Sequence, residues 1–248
     1  MKTLKFVFLL LAASLLLLTS CLENTGNSQT YQADNAVVRY FSLYPEMTFL
    51  DTPYGSVAAP ELDAKNYNEG DCLFASFTID YDNQPAPSKY TLVSNMSEEK
   101  IRSGNIIMLD SESQDISSVI DSMSVDSIRY VAPAGYFPCI DNKLFMGFDQ
   151  LDSKIQNYEY QLVFSVVNDI PVLYVCAKSS PTSSATPFGN YKYQAFDITP
   201  FFNQYADDKN RVTFHLRYKK GVDENGKNVY ESSSNPITIY NLIYKESN

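Results

Sequence analysis

Hydrophobic and polar positions along the chain fall into three regimes. Phe6 to Leu18 is an almost unbroken apolar run, Leu22 to about Asn35 is polar, and from Ala36 onward short β-branched and aromatic stretches alternate with turn residues. The third regime predicts strands at 36–44, 47–50, 56–59, 71–80 and 90–94, punctuated by Pro45, the turn at 51–55, Pro60, Glu69-Gly70 and the loop at 81–87. Five short strands in about 70 residues predict a small barrel.

Between residues 97 and 126 the alternation weakens. Ser97 to Ile101 is compatible with a helical turn, and Ile116, Val119, Ile120 and Met123 fall at helical spacing. Beyond it the strand pattern returns at 127–131, 143–149, 158–167, 171–177, 191–197, 211–218 and 237–244. Asn168-Asp169-Ile170-Pro171 has hairpin length, the loop at 179–187 is rich in Ser and Pro, 201–205 reads as a helical turn, and Asn225-Gly226 suits a reversal. Seven strands with regular turn punctuation predict a β-sandwich. The expected fold is therefore mainly β: a leader at 1–20, a flexible tether at 21–35, a small barrel at 36–125 and a β-sandwich at 126–248.

The first regime supplies an address. Lys2 and Lys5 precede an apolar run of about 13 residues, in the range of a secretory signal and short of the ~20 a spanning helix needs. Leu18-Thr19-Ser20-Cys21 resembles a bacterial lipobox, which implies cleavage before Cys21 and lipid attachment to it. Loss of Lys2 and Lys5 with the leader takes the formal charge from −10 to −12. So acidic a chain argues against nucleic acid as a partner. The partners left are the membrane, reached through the lipid anchor, and an envelope protein or glycan.

Catalytic patterns are scarce. His215 is the single histidine, and alternation puts Val212, Phe214, Leu216 and Tyr218 on one face of its strand and Thr213, His215 and Arg217 on the solvent face. Cys72, Cys139 and Cys176 sit in apolar surroundings without a CxxC pair and read as core residues. The residues offer no metal set, and no cofactor motif such as a phosphate-cradling glycine loop is present. Asp223 to Asn228 superficially suggests a calcium loop, but its glycine is misplaced and a turn fits better. With 29 acids, a carboxylate pair of the glycosidase kind stays open. Tyr40, Phe41, Phe74 and Phe77 are the aromatic candidates for a barrel binding face; Phe74 and Phe77 lie on opposite faces, so one is core and the other is a platform or domain packing. Asp121-Ser122-Met123 and Asp126-Ser127-Ile128 resemble an Asp-Ser/Thr-apolar acceptor pattern, making Ser122 and Ser127 candidates for O-glycosylation.

The layout is similar to that of the NigD-like lipoproteins. The pieces that carry the likeness are Cys21, 68–77 (Asn-Glu-Gly-Asp-Cys-Leu-Phe-Ala-Ser-Phe), 141–148 (Asp-Asn-Lys-Leu-Phe-Met-Gly-Phe) and 196–200 (Phe-Asp-Ile-Thr-Pro). The resemblance implies an OB-like barrel after the tether and a β-sandwich to complete the chain, with no catalytic residue to carry over. The function expected is a non-enzymatic binding or accessory module at the outer membrane, on its periplasmic or cell-surface face. The alternatives are a glycan hydrolase with paired carboxylates and a bacteriocin-immunity type of protective lipoprotein. If Cys21 is the lipid site, Cys21→Ala should leave an uncleaved or soluble exported form; a variant still partitioning with membranes on detergent extraction would refute that assignment.

Overall fold

The computed structural model describes residues 26–41, 47–63, 65, 67–85, 90–109, 116–132, 137–150, 157–180, 186–188 and 191–243. The leader, Cys21 and the start of the tether lie outside them, as does the side chain of Phe41. Strands β1 (Ser28–Phe41), β2 (Met47–Thr52), β3 (Gly55–Ala58), β4 (Cys72–Asp80) and β5 (Thr91–Ile101) close into a barrel in the order β1-β2-β3-β5-β4. Its interior is filled by Ala36, Val38, Leu50, Leu73, Ala75 and Phe77, with Leu62 closing it from the short 3-10 turn at Pro60–Leu62.

Two readings of this half are corrected. The polar stretch from Ser28 to Asn35 is not tether but the outer half of β1, paired with β4 from Ser28↔Asp80 to Tyr31↔Phe77 and again from Asp34↔Ala75. A bulge at Ala33, which takes φ 52° and donates its N–H to Ser76 Oγ at 2.9 Å, separates the two runs. Ser97 to Ile101 is likewise strand, because Glu98, Glu99 and Lys100 pair with Ala75, Phe74 and Leu73. A backbone ladder needs no apolar alternation on a side that faces water.

The second sheet system comprises β6 (Ser103–Met108), β7 (Ile128–Ala132), β8 (Cys139–Ile140), β9 (Lys143–Gln150), β10 (Tyr158–Val167), β11 (Ile170–Ser179), β12 (Thr186–Phe188), β13 (Tyr191–Asp197), β14 (Arg211–Val222), β15 (Asn228–Ser232) and β16 (Ile237–Leu242). Helices α1 (Ile116–Met123) and α2 (Thr199–Tyr205) accompany them. Every strand expected after residue 126 is present, and four shorter or polar ones join them. The sandwich is closed at its corners by strands that serve both layers. In β6, Ser103–Asn105 pair with β13 while Ile106–Met108 pair with β10. In β14, Arg211–Phe214 pair with β16 while His215–Tyr218 pair with β11. The core between the layers is aromatic: Phe148 stacks on Tyr160 at 4.0 Å, and Phe164 meets Phe201 of α2 at 4.4 Å. Asn168 and Asp169, at φ 51° and 63°, make the tight two-residue turn of the β10–β11 hairpin.

The sequence divides the domains at 125/126, but hydrogen bonding passes from barrel to sandwich at Arg102, where β5 ends and β6 begins. Helix α1 also belongs to the second unit, since Ile120 packs on Val163, Val172, Tyr174 and Cys176 of β10 and β11.

The two units share an apolar seam. Val37, Cys72, Phe74 and Ile101 from the barrel pack with Ile140, Phe145 and Ala195 from the sandwich. Phe74 meets Tyr193 edge to face at 5.2 Å. Tyr193 reaches it by lying across Gly147, where an added Cβ would come within 2.8 Å of its ring. Beside the seam, Arg39 sits 2.5 Å from the fully buried Asp51 and 3.7 Å from Asp141 of the β8–β9 turn. Burial pushes the Asp51 carboxyl up, and Arg39 opposes that by stabilising the anion. Phe74→Ala should therefore cost about 3–5 kcal/mol in urea unfolding; a loss below about 1 kcal/mol would show that the seam collapses to fill the gap.

Candidate ligand-binding cleft

The outer face of β11 and β14 is where the alternation of β14 matters most. Val212, Phe214, Leu216 and Tyr218 enter the core as expected. The opposite face was expected to be open to solvent, yet His215 and Arg217 are half-buried there. The reason is tertiary: α1 packs over β11 on one side, and the β14–β15 hairpin rises on the other. Lys219, buried at a bulge in β14, donates to the carbonyls of Ser124 and Val125 at 3.0 and 2.8 Å. A cation on these carbonyls, just past the last turn of α1, suits the negative end of its dipole and fixes the helix against the sheet.

Between α1 and the hairpin lies a cleft of about 570 Å³. Ser117 and Asp121 line it from α1, Tyr174 from β11, Arg217 from β14, and Lys227, Asn228 and Tyr230 from the hairpin. Asp121 Oδ1 accepts from Tyr230 OH at 2.6 Å and Asn228 Nδ2 at 2.9 Å. Those two hydrogen bonds hold its carboxyl below the usual range. Tyr230 is shifted the other way, its phenol pushed up by burial and by its bond to Asp121. Arg217 stands between two rings, its Cζ 6.0 Å from the Tyr174 centroid and 5.8 Å from that of Tyr230. A smaller hollow of about 230 Å³, lined by Val172, His215 and Ser232 among others, lies on the other side of Arg217.

The remaining sequence candidates do not assemble with this cleft into a catalytic group. His215 lines the smaller hollow, with Nδ1 3.2 Å from the Ser233 carbonyl. Its neighbour across the sheet is Val172, and Cys176 lies four residues further along β11, about 13 Å by strand rise. Burial pushes the Cys72 and Cys176 thiols up to about 11 and raises Cys139 as well, so all three are free, buried packing residues. Asp223 Oδ1 accepts from the N–H groups of Asn225 and Lys227 at 2.9 and 2.8 Å, the pattern of a turn. No cluster suited to a metal ion occurs among the described residues. Ser122 is exposed on α1 with its hydroxyl donating to the Val119 carbonyl, and Ser127 is half-buried just before β7.

Residues 26–88 match the family model for the lipoprotein OB domain. The match spans β1 to β4 of the barrel. A comparison with curated proteins finds no match. Among solved structures, an uncharacterized protein from Parabacteroides merdae is similar at a TM-score of 0.59 and 15% identity, over 86% of this chain and 98% of its own. A protein of unknown function, DUF1344, from Bacteroides vulgatus follows at 0.52 and 12%, over 84% of this chain and 92% of its own. A NigD-like immunity protein from Bacteroides caccae gives 0.45 and 9%, over 82% and 91%. At these identities the likeness is one of fold. The layout expected from the sequence, an OB-like barrel preceding a β-sandwich, is the one observed.

In the barrel, three of the four expected binding-face aromatics are otherwise engaged. Phe77 fills the barrel core, Phe74 packs in the seam, and Tyr40 is exposed with its hydroxyl donating to the Tyr67 carbonyl at 2.6 Å. A different set gathers at the surface: Tyr31 stacks on Phe77, sits 4.8 Å from Tyr54 and has its hydroxyl 3.3 Å from that of Tyr81. The hydrogen bond with Tyr81, together with burial, pushes the Tyr31 phenol up to about 12.

The Tyr230–Asp121 bond gives a pH-dependent prediction. Asp121 has a depressed pKa in the fold, so its contribution is present above the unfolded carboxylate value of about 3.9 and is lost as pH falls through the folded value. Tyr230→Phe should destabilise the protein by about 1 kcal/mol at pH 7, modest because Asp121 is exposed. In thermal melts the deficit should shrink as pH falls toward 3; a constant deficit would place the effect in packing instead.

Proposed function

We propose that the chain is an outer-membrane lipoprotein, anchored through Cys21, that acts as a non-enzymatic binding module. The ligand seat is the cleft between α1 and the β14–β15 hairpin. The observation that carries this reading is Arg217, held between Tyr174 and Tyr230 at the wall of a preformed cavity that combines aromatic and hydrogen-bonding side chains. A hydrolase acting there would need a second carboxylate and an acid whose pKa is raised. Among the described residues that line the cleft, Asp121 is the single carboxylate, and its pKa is shifted downward.

The OB domain is then the spacer and rigid base that presents the cleft away from the lipid. Its seam with the sandwich makes the two units one body, so a ligand held by the second domain is held relative to the membrane. Incubating the purified mature protein with surface polysaccharides and envelope extracts tests the reading. The expected result is retention of a component without turnover, with retention reduced at least tenfold by Tyr174→Ala. Turnover abolished by Asp121→Asn would replace binding with hydrolysis.

A further inference from the structure

We propose that the cleft takes a sugar carrying a single carboxylate, of the uronic-acid class, with that carboxylate on Arg217. This rests on the binding reading above and specifies the ligand. Arg39, Arg129 and Arg211 each face a protein carboxylate. Arg217 has no such ion pair among the described residues, and its Nε is buried without a hydrogen-bond partner. In a chain with 29 acidic residues, the absence of a counter-ion here is not for want of carboxylates. A half-buried guanidinium left without an anion is costly, and a ligand carboxylate supplies acceptors in the geometry its fork is built to bind.

The rest of the lining limits the anion and adds the sugar. Lys227 brings a second cation to the rim and Asp121 one negative charge, so with Arg217 the cleft carries a net charge of about +1. That balances a monoanion and disfavours a phosphate dianion, whose second charge would be set against Asp121. Asp121 Oδ1 is occupied by Tyr230 and Asn228, while Oδ2 makes no hydrogen bond among the described residues and is free to accept from a ligand hydroxyl. Ser117 offers a further hydroxyl on the same side, and the tyrosines supply apolar surface for a ring. Carboxylate recognition at one wall and hydroxyl recognition at the other describe an acidic sugar.

Calorimetry on the mature protein tests this with glucuronate and galacturonate and their short oligomers, beside glucose and galactose oligomers and glucose 6-phosphate. The expected result is binding of a uronic acid, little of the neutral or phosphorylated sugars, and at least a tenfold loss in Arg217→Gln. Lys227→Gln, on the exposed turn, should weaken the same ligand several-fold and serves if Arg217→Gln does not fold. Equal binding of neutral sugars, unchanged affinity in both variants, or no binding of any uronic acid overturns the proposal. The two readings fail separately. Capture of a neutral glycan or a peptide that depends on Tyr174 would end the acidic-sugar assignment and keep the binding module, whereas turnover of a uronate oligomer would end the binding module and keep the ligand class.

Discussion

Strand β4 is buried on both faces over its first half, and the arrangement of the molecule follows from that constraint. Leu73, Ala75 and Phe77 point into the barrel, while Cys72 and Phe74 point out of it into the sandwich. A strand of a small barrel ordinarily turns one face to water; here that face is covered by another domain. The consequence is a common wall, in which barrel closure and domain docking use the same backbone. Val37 and Val38 of β1 repeat the division, one on each side. Arg39, next along, carries the polar part of the junction, and a buried ion pair of this kind is costly to break although its net contribution is small. Its role is to fix the angle at which Asp141 and the β8–β9 turn approach the barrel. Asn241 clamps the same turn from the sandwich side, accepting from the Asn142 N–H at 2.8 Å.

The cleft depends on a different balance. Helix α1 has eight residues, too few to be stable alone, and it is kept in place by tertiary contacts. Ile120 provides the apolar anchor and Lys219 the polar one, while Asp121 ties the helix to Asn228 and Tyr230. These contacts hold the walls of the cleft at a set distance without filling it. A site already assembled loses little conformational freedom when a ligand enters, which favours binding over induced closure. Lys219 and Arg217, two residues apart on the same face of β14, let one strand both support the helix and line the cleft.

Much of the architecture was legible in the order of the residues. Apolar alternation located the seven longer strands of the sandwich and the five of the barrel, because a half-buried strand must place hydrophobes at every second position. The sequence also separated Phe74 from Phe77, and the spacing of Ile116, Ile120 and Met123 marked α1. By itself it determined the β class, the two-unit layout and the turn at Asn225-Gly226. It did not determine the polar half of β1, the end of β5 or the passage from barrel to sandwich at Arg102. In those segments hydrogen bonds to a neighbouring strand stabilise the backbone, and such bonds leave no mark in side-chain polarity. The cleft was hidden for a related reason: Arg217 reads as a surface residue on the polar face of β14, and Asp121, Tyr174 and Tyr230 belong to segments far apart in the chain. Only the folding of α1 and β15 over that face removes Arg217 from bulk water, and it is this desolvation, a property of packing and not of sequence, that turns an ordinary arginine into a site for an anion.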